Sequence, residues 1–390
     1  MIELDNTLKK EALKVARDIA DWICSVQSPW ISILPDAGGI PFSVEILNHR
    51  IPAPNWCYAF VSMGLASAYE VFKDDKHKTA YQRLIKVLST FQVLDPFNKK
   101  HYGAIREYSS LCPWCFTRDA ISGGWGLLEY YKLTKDKQYL ERAEIFGNWL
   151  VKEGLDDEGY PWFGVWLDNT FYDMPQNHIE NDIQGNFQGG ALNFFYQMYK
   201  VTGDNKWCQY MKPIADIFCD YIQQDNGYFA SVDKKTKKPL PSNDVYVQLH
   251  RGNDDFGTLG LLGAYSVFGE KKYLDSIEKF LTAVWKNQRN DGFFEDSVAA
   301  SPIILNITWQ VRDLLKVNTL TTEKFRAAIA ALLSAQCDSS QATYLKGALR
   351  ENISNPIEAT MRANQYSLIL LLKLFAQQNN YLQCEIMEDK

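Results

Sequence analysis

Residues 248–257, QLHRGNDDFG, set His250, Arg251, Asn253, Asp254 and Asp255 within six positions. A histidine and two carboxylates this close can share one proton-transfer site, with Arg251 and Asn253 holding the substrate. The plain alternative is helix capping, in which Asn253 or Asp254 accepts from the first helical turn and His250 is satisfied by backbone. A second motif occurs twice: Arg106-Glu107 follows Gly103 in GAIRE, and Arg350-Glu351 follows Gly347 in GALRE. Each pair can line a substrate wall or stitch neighbouring loops. The expected catalytic set is Asp254 or Asp255 with His250, and Glu107 opposite. Arg106 and Arg251 orient substrate or hold the carboxylates. Arg118, Asp119, Arg350 and Glu351 are further binding candidates. Trp56, Trp114, Trp162 and Trp166 carry rings suited to stacking on sugar faces. His178, Glu180 and Asp182 form a smaller polar group.

These side chains need a frame, and an internal repeat supplies one. Six segments (12–27, 79–92, 138–153, 207–224, 272–288 and 323–336) have apolar residues at i, i+3, i+4 and i+7 and a charged opposite face. Each reads as a helix that buries one side. Six others (55–72, 118–134, 183–202, 254–269, 303–317 and 361–376) are apolar nearly all round, and four of them carry small residues that permit close helix approach. The first set are outer helices and the second inner ones. Inner-to-outer links are short. Outer-to-inner links are longer, and each holds a Gly before apolar residues: GGIPF, GAIRE, GYPWF, GYFAS, GFFED and GALRE. Gln27/Gly38, Gln92/Gly103 and Gln336/Gly347 share one spacing. All long loops therefore fall on one rim, where the inner-helix N-termini favour carboxylates and anionic groups. The two Arg-Glu loops are expected to face the HRGNDD segment across a cleft. A carboxylate at an inner-helix start should stay ionised, and one in an aromatic pocket among other carboxylates should hold its proton.

This pattern resembles the α/α-toroid superfamily, in which six helical hairpins close into a ring. Six-hairpin glycosidases and polysaccharide lyases share that architecture, as do terpenoid cyclases and protein prenyltransferases. Gln288-Arg289-Asn290-Asp291-Gly292-Phe293-Phe294 is similar to the Gln…Asp-Gly-aromatic repeat of the cyclases. Trp56-Cys57-Tyr58 resembles a motif of lanthipeptide cyclases, whose Cys-His zinc-ligand pair is absent here. The resemblance implies an all-α fold, a single (α/α)6 toroid spanning 1–390. It also implies a carbohydrate-active enzyme, a glycoside hydrolase or polysaccharide lyase working on an oligosaccharide in the mouth of the toroid by carboxylate and His acid–base catalysis. Three alternatives stay open. One is a sugar epimerase. Another is a terpenoid-cyclase-like enzyme using an Asp acid in Asn253-Asp254-Asp255 on a polyprenyl substrate, although Gly252 stands where that motif has its first Asp. The last is a binding or scaffold toroid without catalysis.

Composition narrows the rest. Net charge is −6, and VDKKTKKPL is the only basic cluster, which argues against nucleic-acid partners. Aromatic residues make up 14 %, a share compatible with core packing and with a sugar cleft. Cys112-Pro113-Trp114-Cys115 has CxxC spacing, but no second Cys pair or nearby His completes a metal site. No cofactor and no metal are expected. The first 27 residues are amphipathic and charged, without the apolar run of a signal peptide, and no segment has membrane-spanning character, so the expected localisation is cytoplasmic.

Overall fold

Outer helix α1 (Asn6–Val26) buries Ala12, Val15, Ala16, Ile19, Ile23 and Val26, one stripe at the helical period. The computed structural model describes residues 6–30, 37–45, 47–167, 178–179, 183, 185–240, 256–340 and 342–386. In it α3 (Asp75–Phe91), α5 (Lys137–Trp149), α7 (Lys206–Ile217), α9 (Lys271–Lys286) and α11 (Thr322–Ser334) are the other outer helices. Between them lie α2 (Asn55–Phe72), α4 (Thr117–Thr134), α6 (Gly185–Thr202), α8 (Gly257–Phe268), α10 (Ala300–Val311) and α12 (Met361–Ala376), buried around most of their circumference. This is the alternation of an (α/α)6 toroid. Helices α5 and α7 end in π-helical turns, Leu150–Gly154 and Phe218–Ile222.

The helices form two compact units, one of residues 1–87 and 284–383, the other of residues 88–283 and 384–390. In the first, α12 packs on α2, α1 and α10. In the second, α6 packs on α8, α7 and α4. The long loops contribute two small sheets. The first unit holds an antiparallel sheet of order β2-β1-β7-β6, from β1 (Pro41–Glu45), β2 (Arg50–Pro52), β6 (Arg350–Asn352) and β7 (Asn355–Thr360). The second holds β3 (Trp114–Phe116), β4 (Gly164–Trp166) and β5 (His178–Ile179), with Trp114 opposite Trp166. Strand β7 runs straight into α12 and β3 straight into α4, so each sheet fixes an inner-helix start.

The repeated Gln and Gly have one physical role. Gly38, Gly103, Gly159, Gly227, Gly292 and Gly347 all have positive φ, between 73° and 104°. At Gly292 a Cβ would lie 2.6 Å from the Ala327 carbonyl of α11, and at Gly103 it would lie 2.6 Å from the Ile145 carbonyl of α5. Only glycine tolerates both the φ and the approach. Before every turn but that of Gly159, a Gln completes a clamp. Gln92 Nε2 donates to the Gly103 carbonyl (3.2 Å) and to the Arg142 carbonyl of α5 (2.9 Å). Gln288 Nε2 donates to Gly292 and to Lys324 of α11. Gln223 bridges Gly227 and Ser276 of α9, and Gln27 bridges Gly38 and Ala80 of α3. Gln336 Nε2 donates to the Asp18 carboxylate of α1 at 3.4 Å. Each clamp thus ties the end of one outer helix to the next outer helix. Gln92 is buried, so Gln92→Ala leaves two carbonyls short of a donor. We expect a loss of about 1–3 kcal/mol, read from the midpoint of denaturant unfolding at unchanged slope.

Candidate functional site

In the second unit, the loop that begins at Gly103 brings Glu107 against strand β3. Glu107 N–H donates to the Trp114 carbonyl at 3.1 Å, and Glu107 Oε2 accepts from Phe116 N–H at 2.9 Å. The side chain is wholly buried. Its other oxygen, Oε1, meets no donor among the described residues. Instead the Glu107 carboxyl lies within reach of the carboxyl of Asp119, on the first turn of α4. Two carboxyl groups can bond only through a proton. Burial pushes Glu107 well above the ordinary glutamate value of 4.5, and the Asp119 charge and hydrogen bond push it further, against the opposing pull of the Phe116 N–H. Glu107 is therefore the neutral member. Asp119 reaches the surface and is ion-paired to Arg118 Nη1 at 3.2 Å.

Aromatic rings line the strands next to the pair. Trp114 and Trp166, both half-buried, stand 5.9 Å apart across the β3–β4 ladder, and Phe116 meets Phe163 edge-on at 5.0 Å. The guanidinium of Arg118 lies 5.7 Å over the ring of Phe256. Phe256 has φ 72°, a left-handed conformation that costs a bulky side chain about 1–3 kcal/mol. Its carbonyl is held by Asn193 Nδ2 at 2.8 Å. Trp162 has Lys234 over its ring at 5.0 Å, and Lys234 also binds Asp156 at 2.6 Å. The CxxC stretch is extended: Cys115 pairs with Val165 in the ladder, and burial raises its thiol well above the ordinary range. Arg106 Nη1 donates to the Cys112 carbonyl.

The first unit contains the second copy of the loop with another outcome. Glu351 accepts from the Thr360 hydroxyl at the start of α12 and from Arg362 Nη1 at 3.2 Å. Arg362 lies over Phe42 (5.3 Å) and Trp56 (5.7 Å), and Trp56 stacks on Tyr366. Trp56 is almost fully buried. Arg350 carries its backbone in β6, paired with Ala359. Counting from the helix N-caps Phe116 and Thr360, Arg118 corresponds to Arg362 and Asp119 to Ala363. The same Gly-x-x-Arg-Glu loop therefore makes an ion pair in one copy and a proton-sharing carboxyl pair in the other. Half-buried Glu358 is also raised, by burial first and then by Glu351 and Glu45.

His250, Arg251, Asn253, Asp254 and Asp255 lie outside the described residues, as do Glu180 and Asp182. Phe256, the next residue in the chain, is described, and its ring meets Arg118. From sequence alone Glu107 is expected opposite Asp254 or Asp255, which lie outside the described residues, and the described structure sets it beside Asp119. The available signal was the Asp in the first turn of α4, which the corresponding turn of α12 lacks. Asp21, Asp74 and His77 cluster closely enough to hold a cation, but Lys76 Nζ already sits 3.0 Å from Asp21 and 3.1 Å from Asp74.

Solved structures share this architecture. The chain superposes on cellobiose 2-epimerase from Bacillus thermoamylovorans with a TM-score of 0.72 at 13 % identity, over 96 % of this chain and 100 % of that one. A sugar epimerase from a ruminal bacterium gives 0.71 at 11 %, over 95 % and 99 %. The family 76 α-1,6-mannanase from Salegentibacter sp. gives 0.63 at 15 %, over 94 % and 99 %. At these identities they establish the fold, the (α/α)6 toroid. No protein-family model matches the sequence, and no curated protein does.

The raised Glu107 has a stability consequence. Between 4.5 and its folded-state value, the folded chain binds a proton that the unfolded chain releases, so this group's contribution falls as pH rises. Glu107→Gln removes that dependence and still accepts the Phe116 N–H. We expect the melting temperature of the variant, relative to wild type, to rise as pH increases above 4.5.

Proposed function

We propose that this protein is a carbohydrate-active enzyme that acts on a neutral oligosaccharide, with Asp119 as its reacting carboxylate. The observation that carries this is the Glu107–Asp119 pair, one carboxyl buried and raised toward its neutral form, the other accessible and ion-paired to Arg118, on a loop whose strand carries Trp114 paired with Trp166. Glycosidic-bond hydrolysis needs one ionised and one protonated group. Asp119 supplies the ionised one, activating water or attacking the anomeric carbon. The Glu107 proton is too deeply buried to reach the glycosidic oxygen, so the acid is assigned to the His250, Asp254 and Asp255 segment. A uronate-cleaving lyase would need a cation for the sugar carboxylate. Arg118 and Arg362 are instead paired with Asp119 and Glu351, and Arg106 is bonded to a backbone carbonyl, which favours a neutral sugar. The toroid neighbours named as sugar epimerases and a mannanase, one of the latter in complex with α-1,6-mannotriose, support the same substrate class.

The test is turnover of α-1,6-mannotriose, cellobiose and related neutral oligosaccharides. Chromatography of the products distinguishes cleavage from epimerisation. Asp119→Asn is expected to lower kcat/KM about a hundredfold or more with an unchanged melting temperature. Trp166→Ala should raise KM while kcat changes little. Undiminished turnover by Asp119→Asn removes this residue from the chemistry, and inertness toward every neutral sugar in the panel overturns the proposal.

A further inference from the structure

The two copies of the Gly-x-x-Arg-Glu loop act as an internal control on what Glu107 does. Both glutamates bond to the start of an inner helix, Glu107 at Phe116 N–H and Glu351 at the Thr360 hydroxyl. That half of the interaction is architectural, because it recurs. The second oxygen differs. Glu351 Oε1 has Arg362 at 3.2 Å, and this ion pair needs no proton. Among the described residues Glu107 Oε1 has no donor from backbone or side chain, and it faces a carboxylate. A buried carboxyl oxygen left without a partner is destabilising, because it has given up water for nothing. A proton resting on Glu107 and pointing at Asp119 removes that cost.

From this we infer that Glu107 is a positioning residue that keeps its proton throughout the reaction and donates it as a hydrogen bond that fixes the orientation of Asp119. Arg118 donates to Asp119 Oδ1, so with the Glu107 proton the carboxylate has two donors. Its rotamer is then set before substrate arrives, and no ordering of that side chain is required at the moment of reaction. Glu107 itself never touches substrate, since no part of it is accessible.

The inference rests on Asp119 being the reacting group, but it has a readout that needs no substrate. Infrared difference spectra of the full chain at neutral pH should show the C=O stretch of one protonated buried carboxyl, lost in Glu107→Gln and kept in Trp166→Ala. Absence of that band from wild type overturns the inference, whatever the enzyme acts on. The kinetic arm uses whichever of α-1,6-mannotriose or cellobiose is turned over. Glu107→Gln still presents a neutral N–H donor and should stay within about fivefold of wild type near pH 7. It should also lack the decline in rate that wild type shows with rising pH as Glu107 ionises. Glu107→Leu keeps the bulk, loses the donor, and should fall at least tenfold. If Glu107→Gln is as impaired as Asp119→Asn, Glu107 is itself the proton donor to substrate and the inference fails. It fails equally if Glu107→Leu works as well as wild type.

Discussion

A glutamine side chain with two carbonyls to satisfy organises this molecule. Its amide nitrogen spans the carbonyl of a left-handed glycine and a carbonyl on the neighbouring outer helix, as Gln92 does between Gly103 and Arg142. The glycine sits so close to that helix that no Cβ fits. Turn geometry and inter-helix spacing are therefore set by the same few atoms. The rest of each long loop leaves the clamp at a fixed point and in a fixed direction, which is how Glu107 and Glu351 come to equivalent positions at the starts of α4 and α12.

Much of this was legible in the sequence because the helices announce themselves by period. The one-sided stripe of α1 and the all-round burial of α2 need no tertiary information, and the six loop glycines marked turns that all proved to have positive φ. Strands were less legible. Segments of three residues such as Trp114–Phe116 are too short to show an alternation, and they become strands only when a partner such as β4 lies alongside. Glu107 and Asp119 are twelve positions apart, with a turn and a strand between them, so no local pattern in the sequence joins them. Arg106 donates to the Cys112 backbone carbonyl. The face of Trp162 was similarly out of reach of sequence: Lys234, seventy-two residues away, covers it.

The same contrast separates packing from chemistry. Ring features recur because every hairpin must meet the next. Where a recurring feature breaks, the local free energy is being used for something other than closure. Phe256 belongs to this class, a bulky residue in a left-handed conformation at the entrance to α8, held by Asn193 and facing Arg118. So does Asp119, a carboxylate set beside a buried acid where the sixth repeat has alanine.

That last difference has an evolutionary reading. The glutamate of the sixth repeat, Glu351, is already bonded to its helix start through one oxygen and to Arg362 through the other. A chain built of repeats thus keeps a second copy of the same local arrangement. Because that copy helps hold its loop against the helix, selection for packing alone preserves a place where a new carboxylate would meet an old one.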